Sequence, residues 1–573
     1  MPMVSRMGPR GAGFSLAVFL MFAVALSARA TADGCVYANI QPADVDFDQP
    51  RQRLGEHAEL PIPPDARIGE IDIQRRQISD LSIPDQNHWY NRWGNDLHIL
   101  TRESVVRARL LFSEGDPYDA DVLAQSERAL RDQVYLLDAW VQPYRVCGKR
   151  VDVAVVTRDM WTLRPDLGFG RAGGNNYSSI GFTDDNFLGW GKQVKIKHQT
   201  NPLRSRSYAL YDDPNVAGSR WHGHLRVGNN SDGHEHKLIL EHPFYRFGTS
   251  WAASFTGDYN DRVEPFYFEG DKVNEFRQRT ESFEAAGARS LGVSGDTDRR
   301  IRFGYSYQDD SFATASGDLP PPDPFPVDRT LSYPWIGFEL FQNRYLETMN
   351  RTRIQRVEDV QRGLHLDVRL GWSDTGYGAD VNRAVLQSSV SNAVTPGEDQ
   401  LLDYGVEQSG WYNAALDQVE DLTVDFKSRY WYGGVHENRS WYAALDLGWA
   451  KNLTADQRFV LGGETGLRGY PFRYQSGDRR ALFTLERRYF TDWHPWDLFR
   501  VGGAAFFDMG RTWFHDRDNG PNGGWLRDVG VGLRIASDRV ESDKILHVDV
   551  AFPLDGGSDI DKVQLLVYGQ TEF

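Results

Sequence analysis

The chain has no surplus of positive charge, almost no cysteine and, past its first residues, no long apolar run. Lys and Arg number 64 against 80 Asp and Glu, a formal net charge of −16. No basic excess is left to neutralise phosphates, which excludes a general nucleic-acid binder. Mean hydropathy is −0.53, and after residue 30 no apolar run reaches the roughly 18 residues that a membrane helix needs. That excludes a helical membrane bundle but not a membrane β-barrel, whose strands alternate apolar residues with polar lumen residues. The motifs HExxH, the P-loop and Gly-x-Ser-x-Gly are missing, and Gly292-Val-Ser294-Gly295 falls short of the last. No enzyme chemistry, cofactor or metal is expected. Aromatic residues, by contrast, are abundant at 13%, with 17 Trp and 25 Tyr, and glycines number 55. Both suit a barrel with aromatic girdles and tight turns.

The N-terminus reads as a secretory signal peptide over 1–30. Arg6 and Arg10 form a basic region, Phe14 to Leu26 an apolar one, and Ala28-Arg29-Ala30 a small-x-small cleavage site. Both cysteines, Cys35 and Cys147, follow the cut, and an even pair in an exported chain permits one disulfide. Ala32-Asp33-Gly34-Cys35 lacks the Leu of a lipoprotein box and carries an Asp, which argues against lipidation. Residues 31–65 are polar and contain Pro61-Ile62-Pro63-Pro64, the composition of a linker.

From 66 to 160 the pattern predicts a small α+β domain in the order β-α-α-β-β. Ile68, Ile71 and Ile73 mark a strand. Thr101 is the candidate N-cap of a helix through Leu111, and Asp119 opens a second helix with Leu123, Ser126, Ala129 and Leu130 on one face. Trp140-Val141 and Val151, Val153 and Val155 mark two strands around a turn at Gly148. The turn at Gly115, Asp116 and Tyr118, with the Leu-Arg-x-x-x-Tyr-Leu stretch after it, resembles a polypeptide-transport-associated (POTRA) domain. In that family the domain lies in the periplasm and holds client chains by adding a strand to its sheet. The insert from Ile78 to Asn95 carries Trp89, Tyr90 and Trp93. Those aromatics suit packing over the sheet or the barrel rim, or alternatively a client surface.

From 161 to 573 the chain shows period-two segments split by Gly, Asp, Asn and Pro turns. Trp441, Ala443, Leu445, Leu447 and Trp449 share one face and Tyr442, Ala444 and Asp446 the other. The C-terminal segment keeps one parity through Val563, Leu565, Val567 and Phe573, an ending that looks like the sorting signal of outer-membrane barrels. The fold expected is mainly β, an antiparallel transmembrane barrel of about 16 strands after one small α+β domain. Leu319 to Pro326 is too proline-rich to pair and reads as a loop.

Two segments go further. Leu461-Gly-Gly-Glu-Thr-Gly-Leu-Arg468-Gly469-Tyr470-Pro471 is a glycine-rich loop around one Arg. In Phe506-Phe507-Asp508-Met509-Gly510 parity places Asp508 on the lumen face, and Glu486 shares a polar face with Thr484 and Arg488. Together they resemble the BamA/TamA family of outer-membrane assembly factors, with its bacterial surface antigen-type barrel, and its two-partner secretion relatives. Gly181 to Gly191 is similar to an early barrel motif of that family. The resemblance implies that Arg468 folds inward and latches to Asp508, with Glu486 as second acceptor. A planar guanidinium suits that task because it can serve two carboxylates at once. It implies the outer membrane as location, and outer-membrane lipid and unfolded or nascent outer-membrane or secreted polypeptides as partners. One POTRA-like domain, where assembly factors of this family usually carry several, is a departure.

The resemblance also implies a seam between the first and last strands. Pro165 cannot donate to a ladder, Gly168 and Gly170 offer no side chain to pack, and Gly569 and Phe573 lie in the last strand. A passive solute channel remains an alternative, as does a soluble β-sandwich, which cell fractionation distinguishes. His222, His224, His234, His236 and His242 have His-x-His spacing but suit a polar lumen better than a metal.

Overall fold

The structure is a computed structural model. It describes residues 34–570 apart from 50–53, 55–58, 436, 518, 520–522, 538 and 541–544. The expected signal peptide and Phe573 lie outside the described residues.

The N-terminal part is a four-stranded sheet of β1 (Cys35–Tyr37), β2 (Arg67–Arg76), β3 (Leu136–Cys147) and β4 (Arg150–Asp159), ordered β1-β3-β4-β2. Three helices, α1 (Trp89–Leu97), α2 (Glu103–Arg109) and α3 (Ala120–Arg131), lie between β2 and β3. Val106, Leu110, Leu123 and Leu130 bury one face of the sheet against Ile68, Val141 and Val153. Asp119 caps α3, its carboxylate accepting from the backbone of Asp121 and Val122. Thr101, the expected N-cap of α2, does not cap it; the N-cap position is Arg102. The Thr101 hydroxyl donates to Asp159 at 2.8 Å and accepts from Asn186 at 2.8 Å, which ties the domain to the first barrel turn at its own end.

Where a linker was expected over 31–65, the described residues of that range pack on the domain. Cys35 to Tyr37 pair along β3, Cys35 and Cys147 form a disulfide, and Val45 and Phe47 cover Leu137, Trp140 and Val156 on the second sheet face. With Ile40 packed beside them, these are scattered apolar residues in a polar, proline-containing segment, too few to show as a pattern, yet they cover that face. The segment also occupies part of the β3 edge. The Gly115–Tyr118 turn holds the start of β2: Gly115 and Tyr118 donate to the carbonyls of Ile68 and Ala66, each at 2.9 Å, and Ile68 donates to Asp116 at 2.8 Å. Gly115 has a φ of +92°, which favours glycine.

The rest closes into an antiparallel barrel of twenty strands among the described residues, from β5 (Leu163–Ala172) and β6 (Asn175–Asp184) to Gln564–Gln570. About sixteen were expected. Alternation is weak in some of these strands. Ser388, Ser389 and Ser391 put hydroxyls on both faces of Arg383–Val394, and Ser205–Asp213 shows only Ser207 and Ala209 outside before Tyr211. Elsewhere the outer face is plainly apolar, with Ile180, Ile196, Phe303, Ile336, Leu370 and Val531 all exposed. Trp251–Phe268, Asp271–Ser294 and Thr297–Thr314 run 18, 24 and 18 residues. At ~3.4 Å per residue the longest reaches about 80 Å, far beyond an apolar band of about 25 Å.

Strand direction, taken from the domain at the start of β5, puts the glycine-rich loop at the outer end of the barrel. At the domain end a hairpin, Arg344–Met349 with Val357–Arg362, interrupts the wall. Its tip crosses the mouth to strands that are distant in the barrel order. Asn350 donates to Gly434 O at 2.6 Å, Arg351 to Gly433 O at 2.7 Å, and Ile354 packs on Phe490 and Ile545. The domain seats beneath it: Arg131 donates to Asp359 at 2.6 Å, Arg356 to Leu137 O at 2.9 Å and Arg220 to Ala108 O at 2.6 Å.

Candidate functional site

The loop over 452–478 joins Arg439–Lys451 to Arg479–Phe490 and folds into the lumen around a short ladder, Phe459–Leu461 against Gln475–Gly477. Leu461, Leu467, Tyr470 and Tyr474 pack with Leu482, Leu526 and Ile560. Glycine is needed at two places here. A Cβ on Gly469 would lie 2.7 Å from that of Asp528, and one on Gly510 would lie 2.8 Å from a Leu461 methyl.

Arg468 is the centre of this arrangement. Nε and Nη2 donate to the two oxygens of Asp508 at 2.7 and 2.9 Å, and Nη1 donates to Glu486 at 2.7 Å. The guanidinium lies 3.5 Å from the Phe506 ring centroid. Arg468 is 6% exposed, Glu486 4% and Asp508 0%. Asp508 and Glu486 sit on paired strands, with Thr484 opposite Asp508 and Phe506 opposite Glu486 in the register, and Thr484 donates its hydroxyl to Asp508 at 2.8 Å. Charge-assisted bonds of this kind are worth about 1.5–3 kcal/mol net each, and they work as a unit.

Further groups extend the cluster, of which the sequence pattern places Arg488 beside Glu486 but not Arg534, Asp549 or Tyr568. Arg488 donates to Glu486 at 2.9 Å, Arg534 bonds Asp549, and Asp549 lies 3.7 Å from the Arg468 guanidinium. Tyr568, on the last strand, donates to Asp549 at 3.1 Å. Parity alone was available to find Asp549, which shares the buried face of its strand with Ile545, His547 and Ala551.

The loop therefore reaches both sides of the seam. Toward the last strand the path runs Arg468, Asp549, Tyr568. Toward the first hairpin the backbone of Phe472 donates to Gly173 O at 2.9 Å. Tyr470 is fully buried, and its hydroxyl donates to Arg527 O at 2.7 Å. Among the described residues the first and last strands pair at one position, Val567 with Arg171. Gly569 is in strand conformation and pairs with Leu546 of the preceding strand. Pro165 lies within the β5–β6 ladder opposite Phe182 and Gly168 opposite Ser179, while a Cβ on Gly170 would meet Val567 O at 2.8 Å. A cavity of about 1160 Å³ opens beside the seam. Its lining joins lumen groups, Arg468 and Glu486, to the outward-facing Leu167, Phe169 and Leu546.

The five histidines are spread over three places. His222 and His224 share Asp212 at 2.9 and 3.0 Å, His234 and His236 stack on Tyr259, and His242 stacks on Trp251 with ring centroids 4.0 Å apart. At the domain–barrel junction, burial pushes the Asp48 carboxyl up, but Arg158 and Arg539 outweigh it and hold the group below its ordinary value. Arg158 donates to it at 2.7 Å and Arg539 at 3.0 Å.

Residues 186–564 match the model of the Omp85 superfamily domain. The chain belongs to the Omp85 superfamily. Its barrel is accordingly a bacterial outer-membrane barrel, with an α+β domain on its N-terminal side. A curated relative is the outer membrane protein assembly factor BamA of Neorickettsia risticii (strain Illinois), 22% identical over 223 residues, which are 38% of this chain and 24% of the relative. The match thus spans about a quarter of that relative's length. Similar solved structures include BamA from Haemophilus ducreyi lacking POTRA domains 1–3, at 12% identity, with 88% of this chain and 84% of that one covered and a TM-score of 0.38. CdiB from Acinetobacter baumannii is similar at 12% identity, with 88% and 73% covered and a TM-score of 0.44. CdiB from Escherichia coli is similar at 13% identity, with 87% and 75% covered and a TM-score of 0.43.

Proposed function

We propose that this chain inserts or translocates other polypeptides at the outer membrane, without enzyme or nucleotide chemistry. The clients are unfolded or nascent outer-membrane or secreted polypeptides, and they engage the barrel at the seam. The observation that carries the reading is the loop itself. One segment holds the first hairpin through Phe472 and the last strand through Arg468, Asp549 and Tyr568, at the junction where backbone pairing is sparsest. Arg468 acts as a latch that sets the loop, and the loop sets how far the seam parts. Folding of the client supplies the driving force.

A passive solute channel finds less support. The loop fills the lumen at one end and the Arg344–Arg362 hairpin crosses the other, so a solute path requires both to move. The domain is proposed to lie in the periplasm and to receive clients, with the exposed part of its sheet edge as the receiving surface.

Depletion of the protein, followed by an inventory of outer-membrane and secreted proteins, tests the reading. Loss of a defined set of clients, with their unfolded forms retained in the periplasm, is expected. An unchanged inventory together with loss of small-solute uptake would favour the channel instead.

A further inference from the structure

Helix α1 is built inside out. A surface helix ordinarily turns its apolar stripe to the core. Here the inward face is polar: Asn91 is buried and donates to Gln86 O at 2.9 Å, while Asn95 accepts from Ser79 N at 3.1 Å and donates to Ser79 O at 2.8 Å. Trp89, Trp93 and Leu97, spaced four apart and so one above another, form the outward stripe and stand 75, 62 and 48% exposed. Packing of Trp89 and Trp93 over the sheet or rim was expected from the sequence, but among the three aromatics of the insert it is Tyr90 that meets the rim, donating its hydroxyl to Trp496 O at 3.1 Å. The apolar payload of the other two faces away from the protein.

The position of the helix says what covers it. Gly94 lies beside the ring of Trp161, two residues before β5 begins. Just after the helix, Arg102 donates its backbone N–H to Gly189 O at 3.0 Å and stacks its guanidinium 4.0 Å from the Trp190 ring. Leu188, Trp190, Trp493 and Trp496 are exposed on the same periplasmic turns, and Tyr489 and Leu163 are exposed on the strands above them. The helix thus lies at the domain end of the barrel beside the first strand, among turns whose exposed aromatics suit a belt at the membrane interface. The charges on the helix are Arg92 and Asp96, which cancel, so its attraction to a bilayer comes from apolar burial rather than from anionic headgroups.

We infer that α1 is an interfacial anchor. Trp89, Trp93 and Leu97 insert into the periplasmic leaflet of the outer membrane and pin the N-terminal domain to the bilayer at the foot of the first barrel strand, beside the seam. The inference rests on the membrane position of the barrel and not on the handling of clients.

The test uses the full chain with its native disulfide, carrying Trp89→Cys, Trp93→Cys or Arg92→Cys, each labelled with a small fluorophore. The protein is reconstituted in vesicles of phosphatidylethanolamine and phosphatidylglycerol. Quenching by a nitroxide on the lipid chain is compared with quenching by aqueous iodide. Labels at 89 and 93 are expected to be quenched severalfold more by lipid nitroxide than the label at 92, with little response to added salt. Iodide access at 89 and 93 equal to that at 92 would overturn the inference. Shielding from both quenchers would place another protein surface there, and burial appearing only with an added unfolded outer-membrane polypeptide would assign the stripe to clients. Either result also overturns it. Should a tryptophan variant lose the heat-dependent gel mobility of a folded barrel, Leu97→Cys replaces it.

Discussion

Two junctions in one wall are built differently. Every position of Trp251–Phe268 is paired with Asp271–Ser294, while between the last and first strands, among the described residues, pairing is confined to Val567 and Arg171. Each backbone hydrogen bond adds about 0.5–1.5 kcal/mol net, and more where lipid offers no substitute partner. The long junction is therefore the better held by backbone bonds, and under the proposed function the short one is where the barrel parts. The inward loop contacts both sides of the seam, through the Phe472 backbone on one and the Arg468 guanidinium on the other. Charged side-chain contacts can be made and released one at a time, whereas a long ladder opens only as a whole.

The sharpest way to break this comparison is to equalise the two junctions. A disulfide between Arg171→Cys and Val567→Cys is expected to lower client assembly by roughly tenfold or more, about 1.4 kcal/mol per decade, when oxidised. The equivalent bridge between Gly257→Cys and Phe283→Cys, which are register partners in the long junction, is expected to leave assembly unchanged. Activity of the oxidised proteins in reconstituted vesicles checks both. Full activity with the seam bridged would remove the seam from the mechanism.

A smaller effect sharpens the role of the lumen. Replacing 345–361 by a short turn is expected to leave the barrel folded, because its neighbouring strands Arg329–Gln342 and His365–Ser373 pair with each other directly. Ion conductance across planar bilayers should rise severalfold, while client assembly falls less than with the bridged seam. No conductance change would mean that the hairpin does not obstruct the mouth.

The smallest effect concerns pH at the domain junction. The Asp48 carboxyl is held below its ordinary value of 3.8. Its contribution is thus fully present above the unfolded value and is lost as pH falls through the lower folded one. Protease protection of the domain against the barrel should weaken below about pH 4, and Asp48→Asn should remove that pH dependence.

How much of this was legible in the sequence depended on whether a residue's role left a local pattern. Alternation in Trp441–Trp449 and the parity of Asp508 are local, so barrel class and the lumen placement of the acid could be read directly. The meeting of Arg468 with Asp508 was expected from a resemblance, since nothing local links positions 40 apart. Asp549 and Arg534 complete the cluster from strands with no motif. The hairpin tip at Arg351 and Ile354 acts through contacts about 80 to 190 residues away, with Gly433, Phe490 and Ile545, which no periodicity announces. The second sheet face was invisible because a few scattered apolar residues, Ile40, Val45 and Phe47, cover it.

The guanidinium at 468 is the group on which loop and seam both turn in the proposed function. Removing it leaves Glu486 and Asp508 buried without that partner, a loss of about 3–5 kcal/mol for a broken buried pair, concentrated on the loop rather than on the wall. The decisive measurement is client assembly in vesicles by Arg468→Ala and Arg468→Lys, beside a gel assay for the folded barrel. Both barrels are predicted to fold, with assembly reduced about tenfold or more in each, because a lysine point charge cannot bridge the two carboxylates as the planar fork does. Wild-type assembly by folded Arg468→Ala would contradict the account.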